Sequence, residues 1–451
     1  MTGADQWLRS APAHWTRGRL KNLIASSANG TWGSDPVDGG GNVRCIRAAD
    51  FDRVTRRTKI SNAPLRYVEP SSLRQHLLRP GDLVLEKSGG GEKQPVGMAV
   101  LFTGTEPAVS SNFCARIKPS ADVDSRFLSY AFAAAYEQGL TQAAIKQTTG
   151  IQNLDTGVFF ASRWAFPAKE EQRRIADFLD AETARINRLI ELRNRTLALL
   201  AERMTNRLDA AVRGVAVPGP KRLADYSPLG EIPLDWRQGR LRSVDCDVQT
   251  GPFGSELHAE DYVDSAWPVV NPANITPAGL VADNRVTVSD KVRARLERHV
   301  LHAGDVVFGR RGELGRAGIV TEAQEGWVCG TGSLRVRFAK GAFHPGYLRR
   351  YLEIPAVRHY FQLQAIGSTM PNLNSSILLN MPLLLPSLPE QAEIAQRCAD
   401  TENLAAKHRM LVKRQIQLFL ERRQALITAA VTGQFDVSTA SGRNVTEGVT
   451  A

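Results

Sequence analysis

Apolar residues recur with two different periods along the chain, and the periods divide it into elements. From about Glu170 to Val212 they fall mostly three or four apart: Ile175, Leu179, Ile186, Leu189, Leu197, Leu200, Met204, Leu208 and Ala211. That leaves one apolar stripe on a strongly charged rod, which predicts a single long helix. From about Pro389 to Thr432 a looser stripe carries Ile394, Cys398, Leu411, Ile416, Phe419, Leu420 and Ile427, interrupted by His408. Ser387 and Glu390 have the S-x-x-E spacing of a capping box, and Pro389 sits where a first-turn proline is tolerated. Gly214 and Gly433 follow the last apolar turns as helix stops. Elsewhere short alternating segments lie between turn glycines, as strands do in a mixed α/β region.

The pattern occurs twice. HWTRGRL (His14–Leu20) returns as DWRQGRL (Asp235–Leu241). RPGDLVLEKSGG (Arg79–Gly90) pairs with HAGDVVFGRRGE (His302–Glu313), each reading as a turn followed by a strand. NFCARIKP (Asn112–Pro119) pairs with SLRVRFAK (Ser333–Lys340), SRFLSYAF (Ser125–Phe132) with PGYLRRYL (Pro345–Leu352), and TTGIQNL (Thr148–Leu154) with STMPNL (Ser368–Leu373). ERMTNRLDAAVRG (Glu202–Gly214) aligns without a gap on ERRQALITAAVTG (Glu421–Gly433). An ordered series of matches at one nearly constant offset is an internal duplication. Each copy is a mixed α/β region followed by a long helix. A helix of ~43 residues is roughly 65 Å long. A rod of that length with one apolar stripe needs a partner, and the equal second rod supplies it as a coiled coil. The Pro- and Gly-containing stretch between the copies, Val212–Pro233, reads as an extended linker, and the small polar residues after Gly433 as a frayed tail.

Composition narrows the class. A chain of 451 residues with 43% hydrophobic and 23% charged residues suits two or three globular domains. No apolar run reaches the ~20 residues of a membrane span, and MTGADQWLRSAP has no apolar core for a secretion signal, so a cytoplasmic protein is expected. The five cysteines, Cys45, Cys114, Cys246, Cys329 and Cys398, are odd in number and form no CxxC pair. They read as buried or incidental thiols of a reducing compartment, not as a disulfide framework or a zinc site. The net charge of +11 is carried mostly by arginine, which favours a polyanionic partner and suits bidentate contacts to phosphate and guanine.

Catalytic motifs do not emerge. The chain has no GxxxxGK[ST] loop, no GxGxxG after a strand and no HExxH. NPAN (Asn271–Asn274) lacks the aromatic that would stack on a flipped base. Asp82, Glu86 and Lys87 imitate a Mg²⁺-dependent nuclease set, but Glu86 and Lys87 are adjacent and point to opposite faces of a strand. The second copy has Asp305, Gly309 and Arg310 there, so the set is not kept. The glycine-rich SGGGEKQP (Ser88–Pro95) and its partner GRRGELGR (Gly309–Arg316) suit contact with a DNA backbone.

Two stretches resemble a known family. GSTMPNLNSSILLNMPLLLPSLPEQAEIA (Gly367–Ala395) resembles the signature of specificity subunits of type I restriction–modification systems, and Pro167–Gly214 resembles their central conserved region. The resemblance covers nearly the whole chain and matches in order and spacing. The first copy departs from it, with TTGIQNL in place of the GSTxPxLN form and PAKEEQ in place of P-L-P-x-x-EQ. The resemblance implies an α+β fold: two duplicated α/β target-recognition domains, separated by two long helices forming an antiparallel coiled coil. The expected segments are a first recognition domain at 1–166, a central helix at 167–214, a linker at 215–231, a second recognition domain at 232–385, a C-terminal helix at 386–433 and a tail at 434–451.

Family membership implies a chain without catalysis of its own. It would recruit two methyltransferase subunits and, in the restriction complex, motor–nuclease subunits, and would read a split double-stranded DNA target with one domain per half. S-adenosylmethionine, ATP and Mg²⁺ would sit on the partner subunits. Helices paired antiparallel would present the two domains to the duplex in inverted orientations and act as a ruler for the gap between half-sites. The candidate DNA contacts in the first domain are Arg47, Arg53, Arg56, Arg57, Lys59, Lys87, Lys93 and Lys146. In the second they are Arg310, Arg311 and Arg316, with Ser368, Thr369 and Asn372 as polar loop contacts. The alternative is a duplicated protein-interaction adaptor without sequence-specific DNA binding. The repeated heptad is expected to anchor each domain, with Trp15 and Trp236 on the core and Leu20 and Leu241 buried beside them.

Overall fold

The structure is a computed structural model that describes residues 9, 11–38, 41–91, 94–148, 150–254, 256–276, 278–365 and 372–439. The chain divides into two compact units, residues 1–194 with 413–451, and residues 195–412. Each unit takes part of both long helices.

The two helices run over Lys169–Val212 and Leu388–Val431, 44 residues each. Ser387 starts the second as expected, donating from its backbone N–H and its Oγ to Glu390 Oε2 at 2.9 and 2.6 Å. Gly214 and Gly433 end them with φ of +67° and +76°. The N–H of Val215 then reaches back to the Ala210 carbonyl, and that of Phe435 to Ala429. No described helix is long and apolar enough to cross a membrane.

In unit 1 the heptad strand Thr16–Arg19 pairs antiparallel with Arg163–Phe166, the strand leading into the first long helix. A six-stranded sheet runs in the order Ile24–Asn29, Cys114–Pro119, Leu83–Glu86, Ala99–Leu101, Arg57–Thr58, Phe51–Asp52. A three-stranded sheet of Leu65–Tyr67, Asn42–Ile46 and Ala108–Ser110 ends in a parallel pair. Helix Ser125–Glu137 is capped by the Asp124 carboxylate and buries an alanine-rich face with Phe127 and Phe132. Its core joins Trp15, Leu20, Phe159 and Trp164 to Ile175, Leu179 and Ile186 of the first long helix and Leu426, Ile427, Ala430 and Val431 of the second. Phe178 stacks near Phe435, and Asn187 bonds Arg423, so the two helix segments run antiparallel within the unit.

Unit 2 repeats the plan. Arg237–Arg240 pairs with Pro382–Leu385, leading into the second long helix. A four-stranded sheet runs Cys246–Thr250, Ser333–Phe338, Val306–Gly309, Ala317–Ile319. A second one of Tyr262–Val263, Thr287–Val288, Trp267–Val270 and Val328–Cys329 again ends in a parallel pair. The core gathers Trp236, Leu241, Phe308, Tyr347, Tyr351 and Phe361 around Leu208 and Val212 of the first long helix and Ile394 and Cys398 of the second. The linker is not merely extended: Lys221–Leu223 and Glu231–Pro233 pair as a hairpin, with Leu229 and Ile232 buried.

The predicted stripes hold at their ends. Ile175, Leu179, Ile186, Leu208, Ile394, Cys398 and Ile427 are buried, whereas Leu411 is 58% exposed and does not belong to the stripe. Leu404, Leu411 and Leu418 lie seven apart and are all exposed, so they form an outer line on the same helix.

Candidate nucleic-acid interface

The repeated heptad builds a joint. Trp15 is buried and its Nε1–H donates to Glu171 Oε1 at 2.9 Å, at the start of the first long helix. Its ring also backs Gly433, the stop of the second helix, where a Cβ would lie 2.1 Å from Pro12 Cδ and 3.3 Å from the Trp15 ring. In unit 2, Trp236 donates to Glu390 Oε1 at 3.3 Å, and its ring lies 2.7 Å from where a Cβ on Gly214 would stand. The next residue repeats too. Gln172 Oε1 accepts from Asp124 N–H, and Gln391 Oε1 from His344 N–H, both at 2.9 Å. The heptad therefore seats each domain on one helix start and one helix stop.

The Gly-Asp turns are structural as well. Asp82 accepts the Arg79 N–H and Asp305 the His302 N–H, with Gly81 and Gly304 at positive φ. Arg337 adds a two-pronged contact to Asp305 at 2.7 and 2.6 Å. Asp82 and Glu86 are both buried, and burial raises both carboxyls above their ordinary values. They flank one strand about 13 Å apart, too far to share a metal ion. Among the described residues no group of three or more His, Cys, Asp or Glu is placed to hold one. Burial pushes the thiols of Cys45 and Cys398 up to about 11 and those of Cys114 and Cys329 up to about 12, which leaves them inert.

Beyond each Gly-Asp strand the main chain enters the glycine-rich loop through the same hydrogen bonds. Lys87 N–H donates to Phe113 O, and its carbonyl accepts Leu154 N–H. Arg310 N–H donates to Gly332 O, and its carbonyl accepts Leu373 N–H. Ser88 bridges Asn153 as Arg311 bridges Asn372. The structure thus brings Lys87 together with Asn153 and, through the hairpin Ile145–Thr148/Ile151–Leu154, with Lys146. It brings Arg310 and Arg311 together with Asn372. Arg311 and Asn372 are exposed, whereas Arg310 also reaches Leu373 O and lies over the Phe253 ring at 5.9 Å. Arg316 is turned inward, donating to Pro272 O at 2.7 Å. Lys146 is exposed and 2.7 Å from Asp155. Lys93, Ser368 and Thr369 lie outside the described residues.

The remaining first-domain cations are divided. Arg47 makes a bidentate pair with Asp50 at 2.9 and 3.0 Å, closing a turn that Asn271 and Asn274 close in unit 2. Arg53 sits 4.0 Å from Glu86, and Lys59 3.7 Å from Asp52. Arg57 is exposed but lines a cavity against the long helices. Arg56 corrects the expectation: it is 6% exposed, held at φ +59° and paired with Glu137 at 3.0 Å, so its side chain is not open to a DNA backbone.

Two residues escaped sequence reasoning. Gly30 and Gly251 occupy equivalent sites, donating to Cys114 O and Ser333 O. A Cβ on either would stand within about 2 Å of backbone oxygens, 2.1 Å at Gly30 and 1.8 Å at Gly251. Two positions on, each loop carries an exposed aromatic, Trp32 under Arg66 at 4.8 Å and Phe253 under Arg310. The signal was a glycine-x-aromatic triplet, GTW and GPF, hidden by unlike flanking residues.

This architecture is shared with known proteins. The model for the type I restriction modification DNA specificity domain matches residues 233–410, which is most of the second copy. The type I restriction enzyme MjaVIII specificity subunit of Methanocaldococcus jannaschii is 22% identical over 350 residues, covering 75% of this chain and 76% of that protein. A chain from a structure of complex assembly and conformational transition of the type I R-M system superposes with a TM-score of 0.70 at 17% identity, over 94% of this chain and 99% of that one. The HsdS subunit from Thermoanaerobacter tengcongensis superposes with a TM-score of 0.57 at 17% identity, over 94% and 98%. Residues 233–410 thus match the specificity domain of type I restriction–modification systems, and over most of its length the chain is similar to a specificity subunit of such a system and shares the fold of these solved structures.

Proposed function

We propose that each recognition domain binds one half of a bipartite, asymmetric DNA target while the long helices dock two methyltransferase subunits and, in the restriction complex, restriction subunits. The observation that carries the DNA reading is that one main-chain frame presents different side chains at the same rim positions. Lys87 and Ser88 stand where unit 2 has Arg310 and Arg311, and Trp32 stands where it has Phe253. Two readers of unequal half-sites need a common frame with unlike contacts. S-adenosylmethionine, ATP and Mg²⁺ belong in this reading to the partner subunits.

Docking of two like partners is supported by exposed leucines that the duplication repeats. Leu192 and Leu199 correspond to Leu411 and Leu418 at the offset of the helix repeat. All four are exposed, at 42, 54, 58 and 47%. In unit 1, five residues on from Asn187 and five back from its partner Arg423, Leu192 and Leu418 stand at facing levels of the helix pair. Unit 2 holds the equivalent pair, Leu411 and Leu199. Such apolar positions on charged rods suit a partner's helices.

Gel shift of the chain with methyltransferase subunits tests the reading. Site-selective binding that weakens steeply with salt is expected, whereas an adaptor gives no site-selective shift. Inserting one helical turn into each long helix should change the spacer between half-sites and leave the half-sites themselves unchanged in methylome sequencing. An unchanged spacer would refute the ruler.

A further inference from the structure

A cavity of about 230 Å³ in unit 1 lies where the turn Val54–Arg57 meets both long helices, lined also by Tyr130, Asp180, Thr183, Asn187 and Arg423. That is several times the ~30 Å³ share of one water. Arg423 is only 9% exposed and donates to neutral acceptors, Asn187 Oδ1 at 2.7 Å and Val54 O at 3.3 Å. Arg56, at 6% exposure, uses Nη2 on Glu137 and leaves a buried Nη1 without a partner among the described residues. Nearby carboxylates already have cations: Glu137 with Arg56, Asp180 with Arg126, and Asp52 with Lys59. Burial, and after it the neighbouring charge of Arg56, push the Arg423 guanidinium below its ordinary value, and the more distant charges of Glu137 and Asp52 only partly oppose this. A buried cation with only neutral partners is costly.

The second copy shows how the same place is neutralised from within. At the helix offset, Arg423 corresponds to Met204, Asn187 to Ala406 and Thr183 to Glu402. Tyr130 corresponds to Arg350, and buried Arg350 pairs with Glu402 and Glu353. Unit 2 thus supplies a carboxylate to its buried arginine, whereas unit 1 sets three arginines against one cavity, Arg56 and Arg423 buried and Arg57 exposed, and gives Arg423 no carboxylate hydrogen bond. Arg56 is moreover held in the left-handed region, a backbone cost that the surrounding structure maintains.

We propose that the unit 1 cavity binds a small oxyanion of the phosphate class, held by Arg423 and the free Nη1 of Arg56, with Asn187 and Thr183 beside it. The occupied site ties the first recognition domain to its helix seat. The full chain is titrated with inorganic phosphate and, separately, with ATP at matched ionic strength, read by calorimetry and by ³¹P line broadening. Saturable binding is expected, roughly tenfold or more weaker in Arg423→Met, which copies unit 2. Arg285→Gln, an exposed arginine of the other unit away from its rim, should leave it unchanged. ATP binding with the same Arg423 dependence, but not inorganic phosphate, assigns the oxyanion to a nucleotide's terminal phosphate. If Arg423→Met does not fold, Arg56→Gln reads the same contact. Absence of saturable binding by either anion, or binding that survives in both Arg423→Met and Arg56→Gln, overturns the proposal.

Discussion

In unit 1 the main chain of Lys87 is held between Phe113 and Leu154, and in unit 2 that of Arg310 between Gly332 and Leu373. The bonds match while the side chains beside them do not: Ser88 faces Asn153, and Arg311 faces Asn372. The tryptophan joints show the reverse, with Trp15 on Glu171 and Trp236 on Glu390 keeping residue and role alike. What repeats residue by residue is the machinery that seats a domain on its helices. What varies sits on the glycine-rich rim. On the proposed reading, this separation would let a rim change alter one half-site without loosening the seat.

The largest effect should come from breaking a seat. Trp236→Ala removes a buried ring and leaves the Glu390 carboxylate without its indole donor, and about 3–5 kcal/mol of unit 2 stability should be lost. Trp15→Ala should cost a similar amount in unit 1. Calorimetry of the full chain reads the difference: each variant lowers its own unit's transition and spares the other. If both lower the same transition, the equivalence of the two joints fails.

Next in size is the loss of a partner. Leu411→Asp with Leu199→Asp should remove one docking surface, and Leu192→Asp with Leu418→Asp the other. Each pair is exposed, so folding should be kept while affinity for one methyltransferase subunit falls by ~2 kcal/mol or more, roughly thirtyfold. Light scattering of the assembled complex should then report one partner in place of two for either pair. Two partners retained in both variants would show these leucines to be incidental.

How much of this was legible depended on the range of the signal. Helix ends were readable because caps and stops are local: Ser387 with Glu390, and glycines 214 and 433. Strand register was not. The apolar pattern pairs Asn112 with Ser333, but Cys114 lies opposite Glu86 just as Ser333 lies opposite Gly309, so Cys114 is the true equivalent. A slip of two residues keeps every side chain on its face, and the pattern cannot register it. Leu411 was misread for a related reason, since inner and outer lines on one rod differ by a single position in the turn. Burial of Arg56 depends on Glu137, 81 residues away, and nothing in a basic run marks which member turns inward. The positions of Lys87, Arg310 and Arg311 at a loop entry were legible because glycine-rich stretches form loops in either copy.

A smaller effect tests the rim. Arg311→Ala should relax one position of one half-site, by about 1–3 kcal/mol if it contacts a base, and leave the other half-site intact. Ser88→Ala should touch only the other half. Methylome sequencing with each variant reads both halves at once. Relaxation in both half-sites from one substitution would contradict the assignment of one domain per half.

The smallest expected difference concerns acid. His299 in unit 2 is buried, and neither ring nitrogen makes a hydrogen bond among the described residues. Burial depresses its pKa below the ordinary 6.5; Arg298 and Arg335 add to the depression, and Glu256 at 3.6 Å and the Thr250 backbone oppose it. The unfolded chain therefore binds this proton more readily, and the stability associated with neutral His299 is complete above about pH 6.5. It is lost as pH falls from there toward the depressed value. Glu86 in unit 1 has the opposite sign, because burial raises its carboxyl. Its protonated form is the favoured one in the fold, so its contribution is lost as pH rises through the raised value. Mild acid should thus weaken unit 2 through His299 while relieving unit 1 at Glu86. His299→Phe should flatten the unit 2 transition against pH between neutrality and about pH 5, and Glu86→Gln should flatten that of unit 1 on the alkaline side of the ordinary carboxyl range. Calorimetric scans across pH measure both slopes, and a unit 2 slope unchanged by His299→Phe would remove this histidine from the comparison.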